Sequence, residues 1–177
     1  RDGDVIAAKA AERPLPIAST TKLMTAYLTL KNLKPNQTVT AAPYRPIAST
    51  EILLGLRPGE RIKVRDLLYG LLLPSANDAA QSLAVAVAGS VPAFVSQMNQ
   101  AAQELGHANT SYANPIGLDS PNNYSSARDL VTLADLLLKN RLFARIVDST
   151  SAVLHSGDTQ RRVDTRNSLL SQEPFVD

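Results

Sequence analysis

The stretch IASTTKLMTA, Ile17 to Ala26, decides how the rest of the chain is read. A serine, two threonines and a lysine stand immediately before a dense apolar run. Ser19 and Lys22 are three residues apart, a spacing that puts both side chains on one helical face, about 5–6 Å apart at their Cβ atoms. Leu23, Ala26, Tyr27 and Leu30 follow at i, i+3, i+4 and i+7 and predict a mostly buried helix from about Ser19 to Leu33. Met24 and Leu28 widen the apolar surface, and Thr25, Thr29 and Asn32 form the narrow polar side. A serine hydroxyl is a weak nucleophile until a base takes its proton. A lysine can be that base only if burial pulls its pKa well below about 10.4. The backbone N–H groups at such a helix start would favour an oxyanion formed at Ser19. The plainer alternative is a capping serine and a solvated lysine, and the S-x-x-K triplet alone does not decide against it.

The chain has 177 residues, 44% of them hydrophobic, enough for one domain with its own core. Charged residues make up 19% and the formal net charge is +2. The only adjacent basic pair is Arg161-Arg162. That leaves no basic stripe for nucleic acid and no basic amphipathic helix for a membrane surface. Apolar runs such as Leu83 to Ala88 are far too short to span a bilayer. The chain has no cysteine, which removes disulfides, zinc thiolates and cysteine nucleophiles together. Two histidines, His107 and His155, lie in unrelated segments and read as surface or structural residues. A Ser-His-Asp mechanism and a histidine-rich metal site therefore both start poorly.

Along the chain, Asp2-Gly3 reads as a hairpin turn lacking its first strand, and Asp4 to Lys9 as the strand that follows it. Asn36 to Thr40 and Arg61 to Val64 read as short strands or extended loops around an Arg57-Pro58-Gly59 turn. Helices are predicted at Arg65–Leu73, ending at Pro74, at Ser75–Ala88, ending at Gly89, and at Val91–Leu105, ending at Gly106. A loop rich in Asn, Pro and Gly separates them from a helix at Ser126–Asn140 and a further turn or two at Arg141–Val147. Leu130, Leu133, Ala134 and Leu137 share a face of the first of these. Ser151 to His155 and Arg161 to Thr165 read as a hairpin around Ser156-Gly157-Asp158. Strands at both ends and helices between suggest α+β, with the terminal strands meeting in one sheet against a helical cluster.

A second element, PSANDAA, Pro74 to Ala80, places Ser75-Ala76-Asn77 in a helix–helix connection. Ser75 or Asn77 could simply cap the next helix, with Asp78 complementing its dipole. Ser120-Pro121-Asn122 has the same S-x-N form but no helix start immediately after it. S-x-x-K occurs with S-D-N and K-T-G in β-lactamases and penicillin-binding proteins. PIASTTKLMTA, LRPGERIKVRDLLYGLLLPSANDAA, FVSQMNQAAQELG, the NPIGLD loop and YSSARDLVTLA together resemble the serine D-alanyl-D-alanine carboxypeptidases, the low-molecular-weight penicillin-binding proteins. The resemblance covers nearly the whole chain in the family's order.

The resemblance implies a fold and a chemistry. The fold is the penicillin-recognising type, a helical cluster beside an antiparallel sheet with the site between them, occupying residues 1–177 as a single catalytic domain truncated at both ends. Ser19 matches the acylated serine and Lys22 the base that activates it. Ser75 matches the hydroxyl that relays a proton to the leaving group. Asn77 matches the amide that orients Lys22 and contacts the substrate's acyl chain. The Ser19 N–H matches one half of an oxyanion hole. The implied substrate is a peptidoglycan stem peptide ending in D-Ala-D-Ala, β-lactams are the implied inhibitors, and no cofactor or metal is implied. An extracytoplasmic location follows from that substrate, with any membrane anchor outside this chain.

Three departures are visible. Ile17 stands where proline is expected. The ILLGLRPGE stretch departs from the usual small-residue pattern. The chain stops at EPFVD, Glu173 to Asp177, where the family continues into G-x-K-T-G, so the expectation is a fragment or one piece of a nicked protein. Among rivals, a class A β-lactamase needs a deacylating glutamate, and none of Glu12, Glu51, Glu60, Glu104 or Glu173 stands in an E-x-x-L-N context. A DD-endopeptidase, or an esterase or D-aminopeptidase, would use the same serine–lysine pair. A non-catalytic peptidoglycan-binding fragment is the alternative of another class.

Overall fold

In a computed structural model, the residues described are residue 5 and residues 7–171. The elements run in the order β1 (Leu15–Pro16), a 3-10 turn (Ala18–Thr21), α1 (Lys22–Asn32), β2 (Thr38–Thr40), β3 (Arg61–Lys63), α2 (Val64–Leu72), α3 (Asn77–Ala88), α4 (Val91–Glu104), β4 (Tyr124–Ser125), α5 (Ala127–Leu138), α6 (Arg141–Val147), β5 (Ser151–Ser156), β6 (Thr159–Asp164) and a second 3-10 turn (Ser168–Ser171). The α+β class is as expected. The sheet is not: among the described residues the strands form three separate antiparallel pairs, β1–β4, β2–β3 and β5–β6. No strand of the expected N-terminal hairpin is seen at Val5 or residues 7–9, and residues 1–4 and 6 lie outside the described residues.

Local chemistry sets the helix ends. Ser90 accepts from the Ala93 N–H at the start of α4, and Ser126 accepts from the Asp129 N–H at the start of α5. Asn140 accepts from both Leu142 and Phe143 N–H at the start of α6. α3 ends at Gly89, whose φ of +78° is the left-handed cap that glycine adopts without strain. Pro74 breaks the chain between α2 and α3, and α3 begins at Asn77, two residues later than expected.

One hydrophobic cluster joins the helices. Met24, Ala26 and Leu28 of α1 pack with Leu67, Leu68 and Leu71 of α2, Leu83 of α3 and Phe94 and Met98 of α4. The burial of α1 differs from its apolar pattern. Leu23, Tyr27 and Leu30 are only partly buried, while Thr25 and Thr29 are fully buried. The reason is hydrogen bonding: Thr25 Oγ1 donates to Pro115 O at 2.7 Å and Thr29 Oγ1 to Thr25 O at 2.8 Å. Satisfied hydroxyls can be buried at little cost, and Thr25 meets the loop at 113–118.

The β5–β6 hairpin is fastened over the β3 end. Ser156 Oγ donates to Arg61 O at 2.9 Å. Arg161 makes a two-pronged bond to Glu60, at 2.6 and 2.9 Å, and its Nε donates to Leu54 O at 3.1 Å. Beyond β6, Arg166 N–H donates to Leu73 O at 3.2 Å, which brings residues 165–167 beside the end of α2. No single helix among the described residues is long and apolar enough to cross a membrane.

Leu83 is wholly buried where α3 meets the other helices. Leu83→Ala is expected to lower the unfolding free energy by about 2–5 kcal/mol, as buried leucine truncations do. Urea denaturation checks this, and a loss well under 1 kcal/mol would contradict the packing described.

Candidate active site

The site is built where three segments meet: the 3-10 turn into α1, the α2–α3 connection and the loop at 113–118. Lys22 is the junction. Only 3% of its surface is exposed, and its Nζ donates to Asn77 Oδ1 at 2.8 Å, to Ile116 O at 2.7 Å and to Ser19 Oγ at 3.3 Å. An ammonium has three donors and no acceptor, so all three protons are directed at protein oxygens. Ser19 itself is exposed, one turn away, and its hydroxyl oxygen accepts from this buried amine. The solvated-lysine alternative is therefore excluded, and so is the capping serine, because Ile17 is the N-cap and makes no side-chain cap bond.

Burial lowers the Lys22 pKa from 10.5 to about 8, with the carboxylate of Glu51 opposing that shift. About a tenth of the amine is then neutral at pH 7, and a neutral amine beside a serine hydroxyl can accept its proton.

Ser75 and Asn77 are brought to the same place. Ser75 and Ser19 line one open cleft of about 370 Å³, together with Lys22, Leu23, Leu73, Val147 and Arg166. Ser75 Oγ is buried and has no hydrogen-bond partner among the described residues. Its backbone sits at φ +70°, a left-handed conformation that non-glycine residues adopt at a cost of about 1–2 kcal/mol. The flanking bonds hold it there: Ala76 N–H donates to Gly70 O at 3.0 Å and Asn77 N–H to Ile52 O at 2.8 Å. Neither Ser75 nor Asn77 caps α3, since the N-cap is Ala76 and carries no side-chain cap. Ser120 and Asn122, the look-alike pair, lie in a surface turn where Ser120 Oγ accepts from Asn122 N–H and Ser120 O from Asn123 N–H.

The loop at 113–118 owes its shape to Asn114. Its Oδ1 accepts from the N–H groups of Ile116, Gly117 and Leu118 at 3.2, 2.7 and 3.0 Å, and its Nδ2 donates to Leu118 O. That turn aims the Ile116 carbonyl at Lys22. Gly117 then passes hard against the reactive turn. Its φ is +90°, and a Cβ there would lie 2.1 Å from Ala18 O and 2.9 Å from Ser19 N. Ala18 itself has φ +43°, so the backbone on both sides of this contact is constrained.

A fourth segment enters unannounced. Glu51 accepts from Asn77 Nδ2 at 2.8 Å, from Ile47 N–H at 2.6 Å, from Ala48 N–H at 3.1 Å and from the Tyr44 hydroxyl. The Tyr44 bond, above the others, holds the Glu51 pKa down near 2. The Tyr44 phenol is pushed above its usual range by burial and by Glu51. Asp78 ties the same loop down: its Oδ1 accepts from Leu54 N–H at 2.9 Å and its Oδ2 from Leu56 N–H at 3.0 Å. The sequence alone presents Glu51 only among the glutamates that lack a deacylating context, and Asp78 only as a dipole partner. Nothing local to residues 44–56 signals a site, because the loop reaches Asn77 across 26 residues.

His107 is buried, with Nε2 hydrogen-bonded to Thr132 Oγ1 at 2.9 Å and no place in this cleft. Among the described residues no group of three His, Cys, Asp or Glu side chains is placed to hold a metal.

The D-alanyl-D-alanine carboxypeptidase family model matches residues 1–177. This chain is a member of the D-alanyl-D-alanine carboxypeptidase family. It is 33% identical over 180 residues to the D-alanyl-D-alanine carboxypeptidase DacF of Bacillus subtilis, covering 99% of this chain and 46% of that protein. It is 35% identical over 177 residues to DacB2 of Mycobacterium tuberculosis, covering 97% of this chain and 59% of that protein. The chain thus spans about half the length of these curated relatives. The fold is similar to the crystal structure of a D-alanyl-D-alanine carboxypeptidase from Mycobacterium tuberculosis H37Rv, with a TM-score of 0.88 at 34% identity, over 98% of this chain and 66% of that one. It is similar also to an S96A mutant of the Streptomyces K15 DD-transpeptidase, with a TM-score of 0.86 at 32% identity, over 96% of this chain and 72% of that one. The penicillin-recognising fold anticipated from the sequence is therefore the fold of the carboxypeptidase family to which the chain belongs.

Gly117→Ala would have to displace the Ala18–Ser19 backbone. The expected result is a stability loss of at least about 1–2 kcal/mol from the left-handed φ alone, with a shifted Ser19 turn in a crystal structure of the variant. A variant as stable as the parent and superposable on it would contradict the contact.

Proposed function

We propose that the chain carries the acylation machinery of a serine DD-carboxypeptidase acting on peptidoglycan stem peptides that end in D-Ala-D-Ala. The observation that supports this most is the buried Lys22 amine bridging Ser19 Oγ and Asn77 Oδ1 in a member of this family. Neutral Lys22 takes the Ser19 proton as Oγ attacks the carbonyl carbon of the D-Ala–D-Ala bond. The Ser19 N–H lies in the first turn, where no preceding helical carbonyl claims it, and it serves as one donor to the oxyanion. Ser75 relays the proton to the departing amine, which leaves as D-alanine. Water then hydrolyses the Ser19 ester. The 3.3 Å Ser19–Lys22 separation is long for a working hydrogen bond and tightens when substrate is bound. One of the two Asn77 Nδ2 hydrogens is used by Glu51, which leaves the other for the substrate's acyl carbonyl. β-Lactams, which mimic the dipeptide, acylate the same serine. A site acting on peptidoglycan belongs outside the cytoplasm, in the periplasm or cell-wall space.

The test is intact-mass spectrometry of protein from the complete reading frame, with and without benzylpenicillin. A penicilloyl adduct that disappears in Ser19→Ala is expected. No adduct on the wild-type protein would overturn the reading.

The Lys22 pKa near 8 sets the pH dependence. The base must be neutral, so the acylation rate should rise about tenfold per pH unit below the midpoint and level off above about 8. Stopped-flow acylation across pH 5.5–10 checks this. A flat profile from pH 6 to 9 would contradict Lys22 as the base.

A further inference from the structure

We propose that Glu51 is a positioning residue for the acylation step, fixing the Asn77 side-chain amide so that its oxygen, and never its NH2, faces Lys22. The inference rests on the serine–lysine reading above and extends it to a segment with no assigned role. A primary amide has an oxygen and an NH2 end of nearly equal size, and only the surroundings decide which way it points. At Asn77 the choice matters. With Oδ1 toward Lys22 the amine gains an acceptor at 2.8 Å. Flipped, the amide would set two donors against the donors of Lys22. Glu51 forbids the flip, because its carboxylate accepts from Nδ2 at 2.8 Å and a carboxylate has nothing to donate.

Glu51 is itself fixed. Oε1 takes the Ile47 and Ala48 N–H groups, and Oε2 takes the Tyr44 hydroxyl and Asn77 Nδ2. Four donors fill the four acceptor positions of an ionised carboxylate. Such a group is a poor proton acceptor, and no lone pair is left to activate a water. That distinguishes a positioning role from that of a deacylating base. The loop that carries Glu51 cannot drift, since Asp78, next in sequence to Asn77, holds the Leu54 and Leu56 N–H groups and Asn77 N–H holds Ile52 O. Asn77 is thus gripped by this loop through backbone and side chain together.

Glu51 has a second effect, on charge. It is the charged group that acts on Lys22, and it raises the amine's pKa against the effect of burial. The other titratable or charged groups on or against these segments are Tyr44, Arg45 and Asp78, with Arg161 reaching the Glu51 loop at Leu54 O and Gly55 O.

The experiment is the benzylpenicillin acylation rate of Glu51→Gln and Glu51→Ala across pH, beside the wild type. Glu51→Ala frees the amide and should slow acylation at the pH plateau by about 10–100-fold, the scale of a misplaced catalytic group. Glu51→Gln keeps volume and one acceptor, and should fall between. In both, loss of the negative charge should move the acidic midpoint to lower pH. A merely structural brace would leave that midpoint in place. Wild-type rates and an unmoved midpoint in Glu51→Gln would overturn the proposal. So would normal acylation with an acyl-enzyme that persists at least 100-fold longer, which would make Glu51 a deacylation base. If Glu51→Ala does not fold, the isosteric Glu51→Gln decides. No adduct on the wild type would remove the serine–lysine reading and this inference with it, whereas a wild-type adduct with unaffected variants removes this inference alone.

Discussion

A lysine amine buried at the junction of three segments is the constraint around which this site is organised. Taking an ammonium out of water is expensive unless it is hydrogen-bonded or gives up its proton. Here both responses are present. Lys22 has three oxygen partners, Asn77 Oδ1, Ile116 O and Ser19 Oγ, and a pKa lowered to about 8. Each partner comes from a different stretch of chain, so satisfying one side chain fixes the 3-10 turn, the start of α3 and the 113–118 loop relative to one another.

The backbone around these contacts is under strain in the places that matter. Ala18, immediately before Ser19, and Ser75 both have positive φ without being glycine. Gly117 leaves no room for a Cβ against Ala18. Strain of this kind persists only where surrounding contacts overdetermine it, and the contacts are identifiable: Asn114 for the loop, Gly70 O and Ile52 O for the α2–α3 connection. The Ser75 hydroxyl, buried and without a partner among the described residues, is the complement of this arrangement. On the proposed reading it relays the proton to the departing amine.

Much of this was legible in the sequence, for local reasons. The helices announced themselves through apolar spacing and through Pro74, Gly89 and Gly106. Ser19 and Lys22 share a face because helical periodicity requires it, and the S-A-N triplet at Ser75–Asn77 follows a proline break. What was not legible depends on contacts distant in sequence. Thr25 and Thr29 read as the narrow polar side of α1, yet they are fully buried, because Pro115 O and Thr25 O satisfy their hydroxyls. The terminal strands were expected in one sheet, yet the described strands pair only in twos. Glu51 reaches Asn77 through a loop whose own sequence carries no motif, and its role rests on which donors happen to converge there. Asp78 was read through the helix dipole, when its carboxylate is occupied with Leu54 and Leu56 N–H groups.

The most direct test of the account is the titration of Lys22 itself. The protein, labelled with 13C at lysine Cε, would be followed by NMR across pH, with Lys22→Arg identifying the resonance among the six lysines. The account predicts a midpoint near 8, separated from lysines that titrate near their ordinary value. A Lys22 midpoint at or above about 10.4, that of an unperturbed lysine, would contradict it, because an amine fully protonated at neutral pH could not take the Ser19 proton.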